Sequence, residues 1–268
     1  MLKQAKNIFF LGIKGVAMAN LAVVLKKMGK SVNGCDLKEN FITDKLLKDN
    51  KINWQVGFNP AKLHKKTDLI VYSAAHGGIN NPLIIKAKKN WGVKIISQAK
   101  LQSELMDLFK NKIAVCGCHG KTTTSSLLVY ALNKLKQKPS YLVGTPFFTG
   151  YAGGDFQDKK YFIIEADEYG VNPPVDKTPK FQLLNPDYVI ATNIDFDHPD
   201  VYKNIEETKE AFKKFFKGMD SRLRGNDKGS KKLIFCADDK NLMEVAESLP
   251  RKSYLTYGFN KKANYLIN

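Results

Sequence analysis

The sequence predicts an α/β protein of two units, each organised around a largely parallel sheet. Three observations predict it. Short apolar runs alternate with helix-period runs along most of the chain. Two of those apolar runs, residues 7–11 and 113–115, lead straight into glycine loops that open helices. Several others end abruptly in polar residues, at Asp36, Ser73, Glu165 and Asn193, as strands do at the carboxyl edge of a parallel sheet. A length of 268 residues suits two domains, and Asn111-Lys112 is the natural break, giving residues 1–110 and 111–268.

The first unit opens with the apolar strand NIFFL (7–11) and the loop Gly12-Ile13-Lys14-Gly15. Met18, Leu21, Ala22, Leu25 and Met28 then recur at helical spacing, which predicts an amphipathic helix that Gly29 ends. A second strand from Ser31 stops at Cys35-Asp36, about 20 residues past the glycine loop, as in dinucleotide-binding units. The third glycine of that fingerprint is missing, with Ala17 and Met18 in its place. A nicotinamide dehydrogenase is therefore disfavoured, and a site for another diphosphate-bearing ligand fits the same physics. Helices are expected over 43–50, 83–90 and 99–109, and strands near Trp54 and over 69–72 and 93–96. His76 falls on the loop after one of those strands, where exposure to solvent is the simplest expectation.

The second unit starts with KIAVCGCHGKTTTSS (112–126), a buried strand, a tight loop and a helix start. Such a loop wraps phosphates: Gly117, Cys118, His119, Gly120, Lys121, Thr122 and Thr123 are the expected nucleotide-binding residues. Glycines turn backbone N–H groups inward, the lysine reaches the outer phosphates, and the first threonine suits Mg²⁺. Val115 stands where the general pattern has a glycine, so the loop is the shorter G-x-x-G-K-T-T-T. Thr124, Leu127, Leu128, Ala131 and Leu135 predict the buried face of the helix. Residues 144–156 are Gly- and aromatic-rich and read as a loop, and 170–180, with three prolines, as extended or looped chain. Strands are expected over 161–164, 188–192 and 233–236, and a helix over 205–216. Residues 219–230 hold two of the three arginines and read as a surface insertion.

Mg²⁺ takes oxygen ligands, so a carboxylate at a strand end beside the phosphate loop is the expected partner of Thr122. Glu165 is the first choice, being the first polar residue after an unbroken apolar strand; Asp167 and Glu168 follow. His198 taken alone reads as a histidine hydrogen-bonded to Asp195 or Asp197.

Composition narrows the classes. The net charge is +17, but almost all of the positive charge is lysine spread along the chain, with arginine only at positions 222, 224 and 251. That pattern argues against a nucleic-acid partner, which would favour arginine forks and clustered basic faces. No apolar run approaches a membrane span, and the N-terminus lacks the marks of a signal peptide, so a cytoplasmic protein with reduced cysteines is expected.

Together and in order, GIKGVAM (12–18), GCDL (34–37), SAA (73–75), AKLQSELM (99–106), GCHGKTTT (117–124), EADE (165–168) and TNIDFDH (192–198) resemble the Mur ligase family. These are ATP-dependent enzymes that build the peptide of peptidoglycan. Cys118 stands where the family usually has threonine, and Lys14 where it has a second glycine. The resemblance implies a Rossmann-like UDP-binding N-terminal domain and a P-loop ATPase-type central domain. It implies ATP and Mg²⁺ as cofactors, and UDP-N-acetylmuramate with L-alanine, or a murein peptide, as substrates. Lys121, Glu165 and His198 would be catalytic, with Thr122, Glu165 and His198 on metal. Gly12, Lys14, Gly15 and Met18 would face the diphosphate, and Asp36 and Ser73 the nucleoside or sugar. Family members carry a third, C-terminal ligase domain, and this sequence stops at Asn268 with the central domain unfinished. The implication is a chain that binds the UDP sugar and ATP but has little ligase activity by itself, unless a separate chain supplies the C-terminal domain.

Overall fold

The computed structural model describes residues 1–220, 232–250 and 254–267. The first unit runs β1 (Asn7–Leu11), α1 (Val16–Lys27), β2 (Ser31–Asp36), α2 (Asp44–Asp49), β3 (Asn53–Val56), β4 (Leu69–Tyr72), α3 (Pro82–Trp91), β5 (Lys94–Ser97) and α4 (Gln98–Met106). Its five strands form one parallel sheet in the order β3-β2-β1-β4-β5. Capping fixes two helix starts: Asn81 accepts from Leu83 N–H at 2.9 Å with Pro82 behind it, and Ser97 accepts from Lys100 N–H at 3.2 Å.

The second unit runs β6 (Asn111–Cys116), α5 (Lys121–Lys134), β7 (Ser140–Phe148), β8 (Tyr151–Asp155), β9 (Tyr161–Ala166), β10 (Gly170–Asn172), β11 (Asp176–Pro179), β12 (Tyr188–Ala191), α6 (Ile205–Asp220), β13 (Lys232–Cys236), α7 (Lys240–Glu247), β14 (Tyr254–Gly258) and β15 (Tyr265–Leu266). Eight strands make a mixed sheet, β15-β14-β13-β12-β6-β9-β7-β8, in which only β7 and β8 pair antiparallel. In each sheet the strand before the glycine loop lies between two others, so their carboxyl ends flank the loop. For β1 these are β2 and β4; for β6 they are β9 and β12.

Three expectations are corrected. Residues 144–156 are mostly strand: β7 and β8 form a hairpin, because their glycines serve close packing rather than a free loop. The buried residues of α5 are Ser125 and Val129, while Leu127 and Leu135 are 63% and 66% exposed. The helix turns its polar Ser125 toward Glu165, and of the expected leucines Leu128 packs against the sheet. Helix α1 is not amphipathic: Met18 to Leu25 are all buried. One side covers the first sheet and the other lies on the β7–β8 hairpin of the second unit, which requires an apolar helix all round. Of the prolines of 170–180, Pro173 and Pro174 make the turn between β10 and β11, and Pro179 pairs with Gly170 in their short ladder. From residue 221 the expected 219–230 insertion lies outside the described residues.

The two units share one core. The Phe109 and Phe162 rings stack at 4.5 Å, and Ser103 Oγ donates to Leu183 O at 2.7 Å. The four cysteines are free thiols. Among the described residues no helix is long and apolar enough to cross a membrane.

Candidate active site

The phosphate loop follows β6. Gly117 has φ +135° and Gly120 φ +77°, both in the region that favours glycine. A Cβ on Gly117 would stand 2.0 Å from Thr192 Oγ1, so only glycine fits beneath the segment after β12. That segment straps the loop. Thr192 Oγ1 and Asn193 Nδ2 donate to His119 O at 2.7 and 2.9 Å, and His119 N–H donates to Asn193 Oδ1 at 2.8 Å. Cys118 Sγ donates to Asp195 O at 3.0 Å and accepts from Asp195 N–H at 3.1 Å. Burial pushes the Cys118 thiol up to about 12, so it stays a neutral hydrogen-bonding group. The amides of Cys118 and His119 thus face Asn193. Thr124 N–H closes the first turn of α5 on Gly120 O at 3.0 Å, which leaves the amides of Lys121, Thr122 and Thr123 as the free donors of a helix start.

Lys121 points back over the loop. Its Nζ donates to Gly117 O at 2.6 Å and to both carboxylate oxygens of Glu168, at 2.8 and 3.0 Å. Burial works against the ammonium, but the charge and hydrogen bonds of Glu168 outweigh it and raise the lysine pKa. Glu168 is 1% exposed; burial raises its pKa, Lys121 opposes, and burial wins. His198 Nε2 lies 3.2 Å from Glu168 Oε1, and its ring meets Tyr169 edge-on. Asp167, held by Lys180 at 2.8 Å, completes a group: ligand atoms of Asp167, Glu168 and His198 all lie within 4.8 Å of one another.

Glu165 forms a separate group. Thr122 Oγ1 donates to its Oε2 at 3.0 Å and Ser125 Oγ to its Oε1 at 2.9 Å, and Gly144 N–H donates to the same Oε1. Thr122 and Glu165 are therefore brought together, whereas His198 groups with Glu168 and Asp167, and Asp195 pairs with His119 rather than with His198. The sequence ranks Glu168 behind Glu165 as a metal ligand and does not single out its pairing with Lys121, nor Ser125 or the Thr192-Asn193 strap. The fourth residue of EADE and the start of TNIDFDH were the available signals.

In the first unit the loop is built differently. Gly12 has φ +81°, with Ser73 Oγ and His76 against its α-carbon, so Ser73 and Gly12 do meet. Asp36 is buried: its Oδ2 accepts from Lys14 N–H at 2.6 Å, and its Oδ1 lies 3.4 Å from His76 Nε2. Lys14 turns inward, donating to Glu39 O at 2.7 Å, pairing with Asp44 at 3.3 Å and sitting between the Phe41 and Trp54 rings. Met18 is in the core. What this loop offers a ligand is the N-terminal turn of α1, from Gly15 on.

A cavity of about 230 Å³ lies where the units meet, lined by Asn20, Gln98 and Gln102 from the first and Lys121, Thr122 and Glu165 from the second. A larger open cleft, about 830 Å³, lies by Asp238, Glu244 and Tyr254 and includes none of the phosphate-loop residues.

Comparison with known proteins decides the family. Residues 115–268 match the Mur ligase middle domain, and residues 7–110 match the domain described as "Mur ligase family, catalytic domain". The chain belongs to the Mur ligase family. It is 37% identical over 243 residues to a UDP-N-acetylmuramate–L-alanine ligase of Caldicellulosiruptor bescii, covering 90% of this chain and 49% of that one. A Pelagibacter ubique protein of the same name is 33% identical over 99% of this chain and 53% of its own length. Among solved structures, the UDP-N-acetylmuramate:L-alanyl-γ-D-glutamyl-meso-diaminopimelate ligase of Neisseria meningitidis superposes with a TM-score of 0.78. That match is at 25% identity, over 94% of this chain and 78% of that one. The chain spans about half the length of the curated relatives it matches. Mur ligases are ATP-dependent amide-forming enzymes that act on a UDP-muramyl sugar and an amino acid or peptide. In this chain the phosphate loop lies in the Mur ligase middle domain.

Proposed function

We propose that this chain carries the sugar-nucleotide and ATP sites of a cytoplasmic ligase joining L-alanine to UDP-N-acetylmuramate through an acyl phosphate. The observation that carries the reading is the shared cavity: helix α1, which starts at the first glycine loop, lines it opposite Lys121, Thr122 and Glu165. A sugar held by its diphosphate at the first loop would present its carboxylate to a phosphate held at the second.

The carboxylate oxygen would attack the γ-phosphorus. An O–P bond forms, the bridge to the β-phosphate breaks, and ADP leaves. The amine then attacks the acyl carbon, forming the C–N bond and expelling phosphate, and its proton passes to solvent. Positioning and charge neutralisation carry most of this chemistry. Lys121 would exchange Glu168 for the transferring phosphoryl group. The free amides of Lys121 to Thr123 would hold phosphate oxygens.

The donor set fits Mg²⁺. The Thr122 hydroxyl donates its hydrogen bond to Glu165, which leaves its oxygen lone pairs available beside a carboxylate oxygen at 3.0 Å. Thr122 and Glu165 would hold one ion, and His198 with Glu168 and Asp167 a second. Bound magnesium would supply neutralisation of phosphate charge.

The likeness to the Neisseria tripeptide ligase structure supports a second reading, with a murein tripeptide as the amine. A sugar-nucleotide binder without turnover is the third. Calorimetry of this chain with UDP-N-acetylmuramate and with Mg-ATP tests the sites first. Binding of both, with UDP alone much weaker than the muramyl nucleotide, is expected; failure to bind either overturns the reading. ADP release driven by L-alanine or by the tripeptide, in the presence of the rest of a full-length ligase, then decides the amine.

A further inference from the structure

From the geometry around Asn20 we infer that it is a positioning residue, which sets Glu165 from the opposite unit. Asn20 is the one polar residue in the buried run Met18 to Leu25 of α1, and it is fully buried. Its Nδ2 donates to Val143 O at 2.8 Å and to Thr145 O at 3.0 Å. Among the described residues its Oδ1 has no partner, so the position keeps an amide for its two donors and leaves the acceptor unmatched. The reverse orientation would set an oxygen against two carbonyls.

The strand it grips leaves its regular pairing there. Pairing of β7 with β9 ends at Leu142–Ile164. Against β8 the register jumps from Leu142–Gly154 to Phe147–Ala152, so residues 143–146 face Gly153 alone. The side-chain amide of Asn20 takes the place of the missing ladder. Gly153 and Gly154 admit it. A Cβ on the first would stand 2.6 Å from Asn20 Nδ2, and on the second 2.5 Å from Asn20 O.

Alternation along an extended strand completes the argument. Carbonyls 143 and 145 leave one edge, toward α1, and the N–H of Gly144 between them leaves the other. That N–H donates to Glu165 Oε1, while Glu165 Oε2 accepts from Thr122. Asn20 therefore fixes the donor that orients the carboxylate.

Two measurements test this. By NMR, Asn20→Ala is expected to lower the hydrogen-exchange protection of the Gly144 amide about tenfold and move its proton resonance upfield. By calorimetry with a non-hydrolysable ATP analogue, the same variant is expected to lose about tenfold of the affinity added by Mg²⁺, with metal-free affinity unchanged. Val23→Ala, equally buried on the same helix, is expected to cost stability and leave both readouts alone. Wild-type Gly144 protection in a folded Asn20→Ala overturns the inference, as does an equal loss in Val23→Ala. Should Asn20→Ala not fold, Asn20→Ser decides, since it keeps one donor: partial loss supports the inference and wild-type values overturn it. The calorimetric arm rests on the ATP and magnesium reading above. If the wild type takes up no Mg-nucleotide, that reading fails and the Gly144 amide alone decides.

Discussion

The two glycine loops share a plan and differ in what they do with a lysine. Each follows a strand flanked by two parallel neighbours, and each opens a helix. In the first loop Lys14 is 2% exposed, packed between Phe41 and Trp54 and paired with Asp44, so its charge stabilises the loop itself. In the second, Lys121 lies over the loop's carbonyls and against a carboxylate, where a phosphate can replace that partner. The first loop offers a ligand its backbone alone; the second also offers a cation. A lysine near a glycine turn is thus no sign of phosphate chemistry until its neighbours are known.

Breaking the comparison at its strongest point means removing the second lysine. Lys121→Ala is expected to weaken ATP binding about 100-fold by calorimetry, the worth of charge-assisted hydrogen bonds to phosphate. The matching change in the first loop, Lys14→Met, is expected to leave ATP affinity unchanged. It would lower unfolding free energy in urea by about 2 kcal/mol, because Asp44 and Glu39 O lose a buried partner. If Lys14→Met weakened ATP binding as Lys121→Ala does, the contrast would collapse.

Gly144→Ala sharpens the comparison at Glu165. Its Cβ would stand 2.6 Å from Glu165 Oε2 and 2.8 Å from Thr122 Oγ1. Nucleotide affinity is expected to fall about tenfold with Mg²⁺ present and little without it, as when a metal ligand loses its support. The smallest effect is expected at Asp68, which accepts from the amides of Lys6 and Asn7 at the start of β1. Those bonds hold its carboxyl below the ordinary aspartate value. A depressed carboxyl stabilises fully above its unfolded pKa, about pH 4, and loses that contribution as pH falls through the lower folded value. Thermal melts from about pH 6 to about pH 2 should show a shallower acid decline for Asp68→Asn than for the wild type.

Much of this architecture was legible because its signals are local. Strand, glycine loop and helix start are adjacent in sequence, and the parallel order follows from repeated crossovers. The β7–β8 hairpin was not legible. Gly144, Gly153 and Gly154 read as loop formers, yet they are glycines because Glu165, Thr145 O and α1 approach too closely for a Cβ. The buried side of α5 was misread for a related reason: Leu127 and Leu135 follow the helical period, but Ser125 is what meets Glu165. The all-round burial of α1 depends on a second unit arriving from the far end of 100 residues of chain, which no local period reports. Among the acids of EADE, sequence cannot tell which one faces Lys121. Glu165 lies within β9, and three residues on, past its end, Glu168 has turned to the lysine.

The Lys121–Glu168 pair has a consequence for affinity. On the proposed function, an arriving phosphate would not meet a bare cation; it would displace an internal anion already bonded to it at 2.8 and 3.0 Å. Binding then reflects the difference between two salt links rather than the creation of one. The displaced Glu168 would remain tethered within reach of the lysine, on a carboxylate that His198 also meets, at 3.2 Å, in this structure. A loop built this way restrains its hold on spent phosphate, because the rival for that lysine is part of the chain and is never diluted.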